Sequence, residues 1–140
     1  MTTALDSNII ISALDKSETL QGPVARALER AGQESLLIIC APVYAEVLAF
    51  PQRSQSQLDS FLAGTDIGVD WEFDEDLWLT AALAYRAHAQ RRRTSGAGHP
   101  RRILADFLIG AHALVNGYTL LTLDQRHYRN AFPKLKLQKI

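Results

Sequence analysis

The clearest hydrophobic pattern in the chain lies between positions 103 and 115. Apolar residues recur there at spacings of three and four, which predicts a helix from Leu104 to about Asn116 with one apolar stripe facing a core. Asp106 lies beside this stripe, and Gly110 follows one turn later on the same face. A lone carboxylate in a core is costly unless another group compensates its charge. The pattern therefore predicts a partner for Asp106, either a metal ion or an opposite charge.

The other apolar runs alternate between strand-like and helix-like patterns. Short runs bounded by turn residues predict buried strands at 2–5 and 36–40, further strands at 67–69 and 118–122, and a last edge strand at 135–137. Helical spacing and capping residues predict helices at 9–14, 22–31, 42–50, 54–64 and 74–92, with Gly32 ending the second of them. This alternation indicates an α/β fold with a central, mainly parallel sheet of four to five strands flanked by helices. At this length we expect a single domain, 1–140.

Composition narrows the class of protein. The 15 basic and 15 acidic residues cancel, so net charge points to no particular partner. Cys40 is the single cysteine, which excludes an intramolecular disulfide and a cysteine metal cluster and is consistent with a reducing cytosol. The longest apolar stretch, 103–121, contains three polar interruptions, and the N-terminus lacks a basic segment. We therefore expect neither a membrane span nor a signal peptide.

The charges are distributed unevenly along the chain. Acidic residues crowd between Asp66 and Asp76, and arginines follow on both sides of a glycine-containing segment at 94–100. These arginines are Arg91, Arg92, Arg93, Arg101 and Arg102. Such blocks are consistent either with two solvated faces or with a local anion-binding patch.

Four acidic residues occupy positions that should turn inward. Asp6 and Asp124 follow the first and fourth predicted strands, and the carboxyl ends of parallel strands share one edge of a sheet. Glu46 and Asp106 lie on apolar faces of helices. Each has an ordinary alternative: a helix cap for Asp6, an arginine partner for Glu46, the helix dipole for Asp106 and a turn for Asp124. Together they favour a hard divalent ion such as Mg²⁺ or Mn²⁺, because adjacent carboxylates repel each other unless a cation neutralises them.

Four segments in this order resemble the PIN domain, specifically the toxin ribonucleases of VapBC-type toxin–antitoxin pairs. They are Leu5-Asp6-Ser7-Asn8-Ile9-Ile10, Tyr44-Ala45-Glu46-Val47, Ala105-Asp106-Phe107-Leu108-Ile109-Gly110-Ala111 and Leu121-Thr122-Leu123-Asp124. The resemblance covers essentially the whole chain and implies a three-layer PIN-like fold. The last motif departs from the family, which often carries a further acid and a Phe where this chain has His127 and Tyr128.

The resemblance also implies roles for the residues in these motifs. Asp6, Asp106 and Asp124 would bind Mg²⁺ or Mn²⁺, and Glu46 would be a ligand or would orient the attacking water. All four would thus be catalytic. Asn8 and Thr122 would be polar supports that orient the carboxylates.

By this resemblance the chain is expected to be a cytoplasmic, metal-dependent endoribonuclease toxin that hydrolyses structured RNA such as tRNA or rRNA. Its implied partners are a small antitoxin and a second copy of itself. The arginines at 91–93 and 101–102 would bind the RNA backbone beside the acidic site. An alternative is a catalytically silent PIN-like module that binds RNA or protein. A receiver-type phosphoacceptor is a weaker third reading, because Ser7 stands where a second acid is required.

The histidines are expected to be ordinary. We predict that His88 and His112 pack within helices and that His99 and His127 lie at the surface. No glycine-rich phosphate loop and no Gly-x-Ser-x-Gly elbow is present in the sequence.

Overall fold

The computed structural model describes residues 1–15, 19, 21–51, 53–96 and 103–140. Within these residues the chain forms five strands and seven helices. The strands are β1 (Thr2–Leu5), β2 (Leu36–Cys40), β3 (Ile67–Asp70), β4 (Thr119–Leu121) and β5 (Leu137–Gln138). The helices are α1 (Ser7–Leu14), α2 (Gln21–Glu34), α3 (Ala41–Ala49), α4 (Gln55–Gly64), α5 (Glu75–Thr94), α6 (Leu104–Val115) and α7 (Gln125–Ala131).

The five strands form one sheet in the order β3-β2-β1-β4-β5. Every neighbouring pair is parallel, with Thr3 of β1 opposite Leu37 of β2 and Thr119 of β4. The α/β fold with a parallel sheet is therefore confirmed. Because all the strands point the same way, their carboxyl ends lie along one edge, which is where such sheets form their sites.

Local capping chemistry accounts for several helix starts. Ser54 forms a capping box with Gln57 at the start of α4, and the Asp74 carboxylate accepts a hydrogen bond from the Leu77 N–H at the start of α5. Helix α5 has acidic residues in its first turn and arginines in its last, as the helix dipole favours. The predicted start of α4 is thus confirmed.

Several predicted boundaries shift by one to three residues, and one helix was not predicted. Helix α2 continues past Gly32 to Glu34, because Gly32 keeps a helical backbone and no left-handed turn forms there. Helix α7 was not predicted, since its buried face consists of His127 and Tyr128 rather than aliphatic residues. Strand β5 is shorter than predicted and begins at Leu137, whereas Leu135 packs in the core outside the strand.

The hydrophobic core lies between the sheet and the helices. Where the core contacts α5, α6 and α7, it contains a cluster of aromatic side chains. Phe107 of α6 is fully buried, with the rings of Tyr85 and Phe132 at 5.1 and 6.5 Å between centroids. A Cβ at Gly110 would lie 2.2 Å from Phe132 Cε2. The absence of a Cβ at Gly110 therefore lets the Phe132 ring pack directly on α6.

No helix in the described ranges is long and apolar enough to cross a membrane.

Candidate active site

Asp6 lies at the carboxyl end of β1, in the middle of the sheet, and is also the N-cap of α1. The residue is 4% exposed. Its Oδ1 accepts a hydrogen bond from the Ser7 N–H at 2.7 Å, and its Oδ2 accepts one from the Thr122 hydroxyl at 2.7 Å. The Asn8 side-chain amide donates to Oδ2 at 3.3 Å. Each of these donors is neutral, so they solvate the carboxylate without cancelling its charge.

Asn8 and Thr122 also connect the end of β1 to the segment that follows β4. The Leu123 N–H donates to Asn8 Oδ1 at 3.2 Å, and the Asp124 N–H donates to Thr122 Oγ1 at 2.9 Å. Two successive hydrogen bonds therefore lead from the backbone of Asp124 through Thr122 to Asp6. The structure brings both predicted polar supports against Asp6, and their role in catalysis stays a prediction.

Glu46 of α3 and Asp106 of α6 are the other members of this group, which we call the carboxylate cluster (Asp6, Glu46 and Asp106). Both residues are half-buried. Glu46 Oε1 is buried and has no hydrogen-bond partner within the described part of the chain. The two acids on the apolar helix faces thus turn inward, as the sequence pattern predicts.

Burial and like charge both raise pKa values in the carboxylate cluster. Burial raises the pKa of Asp6, and the hydrogen bonds from Thr122 and Ser7 offset only part of this effect. For Glu46, burial again raises the pKa, a hydrogen bond from the Ser7 side chain lowers it, and the charges of Asp106 and Asp6 raise it further. Burial and repulsion therefore destabilise the ionised form of the carboxylate cluster, and a bound cation would reduce this cost.

Tyr128 of α7 places a phenol beside the same carboxylates. Its hydroxyl is buried and makes no well-formed hydrogen bond among the described residues, but its proximity lowers the pKa of Asp6. Burial and the charges of Asp6 and Asp106 raise the pKa of Tyr128 well above its ordinary value. The phenol therefore stays protonated and covers one side of the cluster.

The chemistry of these donors fits a hard divalent ion, although their arrangement is not a finished coordination shell. Every candidate ligand is a carboxylate oxygen, which is what Mg²⁺ and Mn²⁺ prefer, and the buried Glu46 Oε1 has an unused lone pair. No three His, Cys, Asp or Glu side chains of the described ranges stand close enough together to form a metal site as placed. The side chains would have to adjust around an ion.

Asp124 begins α7 and lines a second feature, which we call the basic hollow. This hollow has a volume of about 570 Å³ and lies between α5 and α7. Its lining consists of His88, Arg91, Arg92, Asp124, Arg126, His127, Asn130 and Ala131. Two of the predicted RNA-binding arginines thus lie beside one of the predicted acids. Arg93 is exposed in the last turn of α5, and Arg101 and Arg102 lie outside the described residues.

The predictions for the histidines have mixed outcomes. His112 is buried in α6 and donates a hydrogen bond through Nε2 to Asp70 Oδ2 at 2.9 Å, so the packing role is confirmed. His127 was expected at the surface but is 8% exposed, because α7 turns it against the Phe107 ring. That prediction was wrong. His99 lies outside the described residues.

Sequence reasoning missed several residues that the structure places at these sites. They include Ser7, which donates to Asp6, Tyr128, which covers the carboxylate cluster, and Arg126, which lines the basic hollow. The position of Ser7 directly after Asp6 at a helix start was a usable signal. Tyr128 and Arg126 gave none, because their neighbours come from distant parts of the chain.

Comparison with protein families identifies the class of this protein. The model of the PIN domain family matches residues 3–133, so the chain belongs to the PIN domain family. Members of this family are generally nucleases and generally use divalent metal ions. Comparison with curated proteins gave no match.

The similar solved structures include complexes from three bacteria. A chain of the Rickettsia felis VapBC2 complex, bound to a DNA fragment from the promoter, superposes with a TM-score of 0.67 at 22% identity, covering 99% of this chain and 98% of that one. For VapBC-1 of nontypeable Haemophilus influenzae the TM-score is 0.66 at 21% identity, with coverage of 99% and 98%. For FitAcB of Neisseria gonorrhoeae it is 0.63 at 20% identity, with coverage of 98% and 96%. These likenesses establish the fold over nearly the whole chain.

Proposed function

We propose that this PIN domain protein is a divalent-metal-dependent endoribonuclease and the toxin of a toxin–antitoxin pair. Its proposed substrate is a structured RNA such as tRNA or rRNA, and its proposed location is the cytoplasm. The observation that carries the proposal is the carboxylate cluster at the carboxyl edge of the sheet, where burial and like charge raise the pKa of Glu46.

The residues have distinct roles in the proposed reaction. Asp6, Asp106 and Asp124 would hold Mg²⁺ or Mn²⁺. Such an ion, when bound, lowers the pKa of a water ligand and neutralises charge that develops on the scissile phosphate. Glu46 accepts a proton from the attacking water, or orients that water, through its unpartnered Oε1.

The other residues hold this arrangement in position. The Thr122 hydroxyl and the Ser7 N–H fix the two oxygens of Asp6, and Asn8 supports the backbone after β4. Tyr128 excludes solvent from the buried side of the cluster. Water, rather than a protein side chain, would be the nucleophile.

The test is RNA cleavage by the purified chain after removal of any co-purifying antitoxin. Total RNA is incubated with and without Mn²⁺, and the new ends are mapped by sequencing. We expect metal-dependent cuts that fall at least about 100-fold in Asp106→Asn, because a metal site supplies several kcal/mol of transition-state stabilisation and each 1.4 kcal/mol is tenfold.

Asp66→Asn is the matched control, because Asp66 is exposed and its positive φ of 57° suits Asn. Thermal unfolding of both variants shows whether they fold. Metal-dependent cleavage by folded Asp106→Asn at the wild-type rate would refute the assignment of Asp106, and cleavage that needs no metal would refute the metal dependence. Retained RNA binding without any cuts would instead support a catalytically silent binding module.

A small antitoxin is the proposed protein partner, as in the VapBC and FitAB complexes to which the fold is similar. An apolar hollow of about 440 Å³ supports this proposal. It lies between α1, α2, α4 and the sheet, and Leu28, Leu37, Phe61 and Ile67 are among its lining residues. Co-expression of the neighbouring gene product and co-purification with the chain would test the partner.

A second copy of the chain is the other proposed partner. Trp78, Leu79 and Leu83 of α5 are 46%, 52% and 65% exposed, and Leu79 and Leu83 lie one turn apart on the same face. Light scattering of wild type and of Leu79→Glu/Leu83→Glu would test this: a dimer that becomes a folded monomer supports the proposal.

A further inference from the structure

We propose that the basic hollow is a phosphate subsite that binds the backbone of a single-stranded RNA beside the carboxylate cluster. The identity of the ligand as RNA rests on the proposed function. The proposal goes beyond a basic surface, because it assigns a concave site with defined walls and adds Arg126, His88, His127 and Asn130 to the binding residues.

The hollow has two walls, and each wall is one face of a helix, α5 or α7. On α5, His88, Arg91 and Arg92 lie at spacings of three and four, so they share a face in the last two turns. On α7, Arg126 and Asn130 lie four residues apart in the same way. The two faces oppose each other across about 570 Å³, a volume within the usual range for small-molecule sites.

The charge of the lining favours an anion. It carries three guanidinium groups and one carboxylate, that of Asp124, so its formal charge is about +2 with neutral histidines. Arg91 and Arg126 are exposed, which leaves their planar donors accessible to a ligand. Guanidinium forks match the geometry of phosphate oxygens and can donate two hydrogen bonds at once.

The base of the hollow is part of the core. The imidazoles of His88 and His127 pack on the Phe107 ring, at 5.5 and 5.2 Å between centroids, and Phe107 is fully buried. His127 also packs edge-on against Tyr128 at 4.8 Å. The base of the hollow is therefore held in place before a ligand binds, which reduces the conformational entropy lost on binding.

The hollow is directly connected to the carboxylate cluster. Asp124 lines the hollow, its N–H donates to Thr122 Oγ1, and the Thr122 hydroxyl donates to Asp6. An acidic peptide could satisfy the arginines, but it would gain nothing from this connection. An RNA strand presents successive phosphodiesters, so a single strand can contact both the arginines of the hollow and the residues that lead from Asp124 to Asp6. The geometry therefore favours RNA over a peptide.

Binding in the absence of metal tests the subsite apart from catalysis. A fluorescent single-stranded RNA of 12 nucleotides is titrated with the chain in EDTA at several salt concentrations, and anisotropy gives Kd. For Arg91→Ala/Arg126→Ala we expect at least tenfold weaker binding at low salt. The slope of log K against log salt should fall by up to about 1.4, because each lost phosphate contact on a single strand removes about 0.7.

Arg26→Ala/Arg30→Ala is the matched control, because it removes the same charge from exposed positions of α2. We expect it to bind RNA nearly as the wild type does. Side-chain NMR of the histidines supplies a second measurement. Signals of His88 and His127 should shift on addition of the RNA, whereas those of His112, buried against Asp70, should not.

Three results would overturn the subsite. They are unchanged binding in Arg91→Ala/Arg126→Ala, an equal loss in the α2 control, or tighter and variant-sensitive binding of a polyglutamate peptide than of RNA. A different result would refute the proposed function, namely RNA cleavage that Asp106→Asn leaves unchanged. RNA binding that depends on the hollow in a chain that cleaves nothing would support the subsite and refute the nuclease.

Discussion

Two aspartates at the same edge of the sheet have opposite electrostatic environments. Asp6 follows β1 and Asp70 ends β3, two strands away. Burial keeps the pKa of Asp6 above its ordinary value despite its neutral donors. For Asp70 burial also raises the pKa, but hydrogen bonds from His112 and from the Glu72 N–H outweigh it and lower the pKa overall.

The difference lies in whether the protein itself supplies a partner. The Asp70 side chain is 23% exposed and is bonded to His112, which is 1% exposed, so this pair links β3 to α6. Asp6 is surrounded instead by neutral donors and by other acids. A carboxylate whose ionised form is stabilised by hydrogen bonds within the fold serves structure, whereas one whose ionised form is disfavoured by burial can bind an external cation.

The largest expected effect is a loss of RNA cleavage when Asp6, but not Asp70, is replaced by Asn. Asp6→Asn should lower the rate of metal-dependent RNA cleavage by at least about 100-fold, because one proposed ligand is lost. Asp70→Asn should cleave within about twofold of wild type when it is folded. Initial rates with saturating Mn²⁺ measure both. Similar losses in the two variants would remove the functional distinction between them.

The second expected effect is stabilisation by metal. At free Mn²⁺ about 100-fold above its Kd, the wild type should gain about 2.7 kcal/mol in free energy of unfolding, because the ion binds the folded state. Asp70→Asn should gain the same amount and Asp6→Asn much less. Urea unfolding with and without Mn²⁺ gives these values. A full gain in Asp6→Asn would place the ion elsewhere in the molecule.

A smaller effect is expected on intrinsic stability without metal. Asp70→Asn should lose about 1 kcal/mol, because a charge-assisted hydrogen bond to buried His112 becomes a neutral one. Asp66→Asn, with the same chemical change at an exposed position, should stay within about 0.5 kcal/mol of wild type. Urea unfolding at pH 7 is the measurement. A loss in Asp66→Asn as large as that in Asp70→Asn would indicate a general charge effect.

The smallest expected effect is the pH dependence of the stability difference between wild type and Asp70→Asn. Because folding lowers the pKa of Asp70 from 3.8, its stabilising contribution is fully present above about pH 3.8 and is lost as the pH falls through the lowered value. The stability gap between wild type and Asp70→Asn should therefore persist from pH 7 to pH 5 and shrink below pH 3.8. Urea unfolding of both proteins at several pH values across this range measures the gap. A gap that grows on acidification would contradict the predicted direction.

The sequence predicted those features that depend on local chemistry. The Ser54 cap, the parallel sheet and the inward position of Glu46 follow from spacing and turn residues within short segments, whereas the order of the strands was not predicted. Helix α7 was missed because its buried face carries His127 and Tyr128, which give no aliphatic periodicity.

Features that depend on distant parts of the chain could not be predicted. The bond between Asp70 and His112 joins residues 42 positions apart, and the basic hollow joins α5 to α7. Neither has a sequence pattern of its own. Strand ends and helical spacing indicated the candidate acids and the family resemblance implied their roles, but neither indicated that Asp70 and His112 would form a structural pair.

The hydrogen bond between Asp6 and Thr122 also has a consequence for synthesis. It spans 116 positions, because β1 at the start of the chain pairs with β4 near its end. Domains emerge from the ribosome N-terminus first. Asp6 is therefore synthesised 116 residues before Thr122 and acquires this partner only when the later part of the domain has been translated. Until then the nascent domain lacks the hydrogen bond from Thr122 to Asp6, so synthesis itself delays the assembly of the carboxylate cluster.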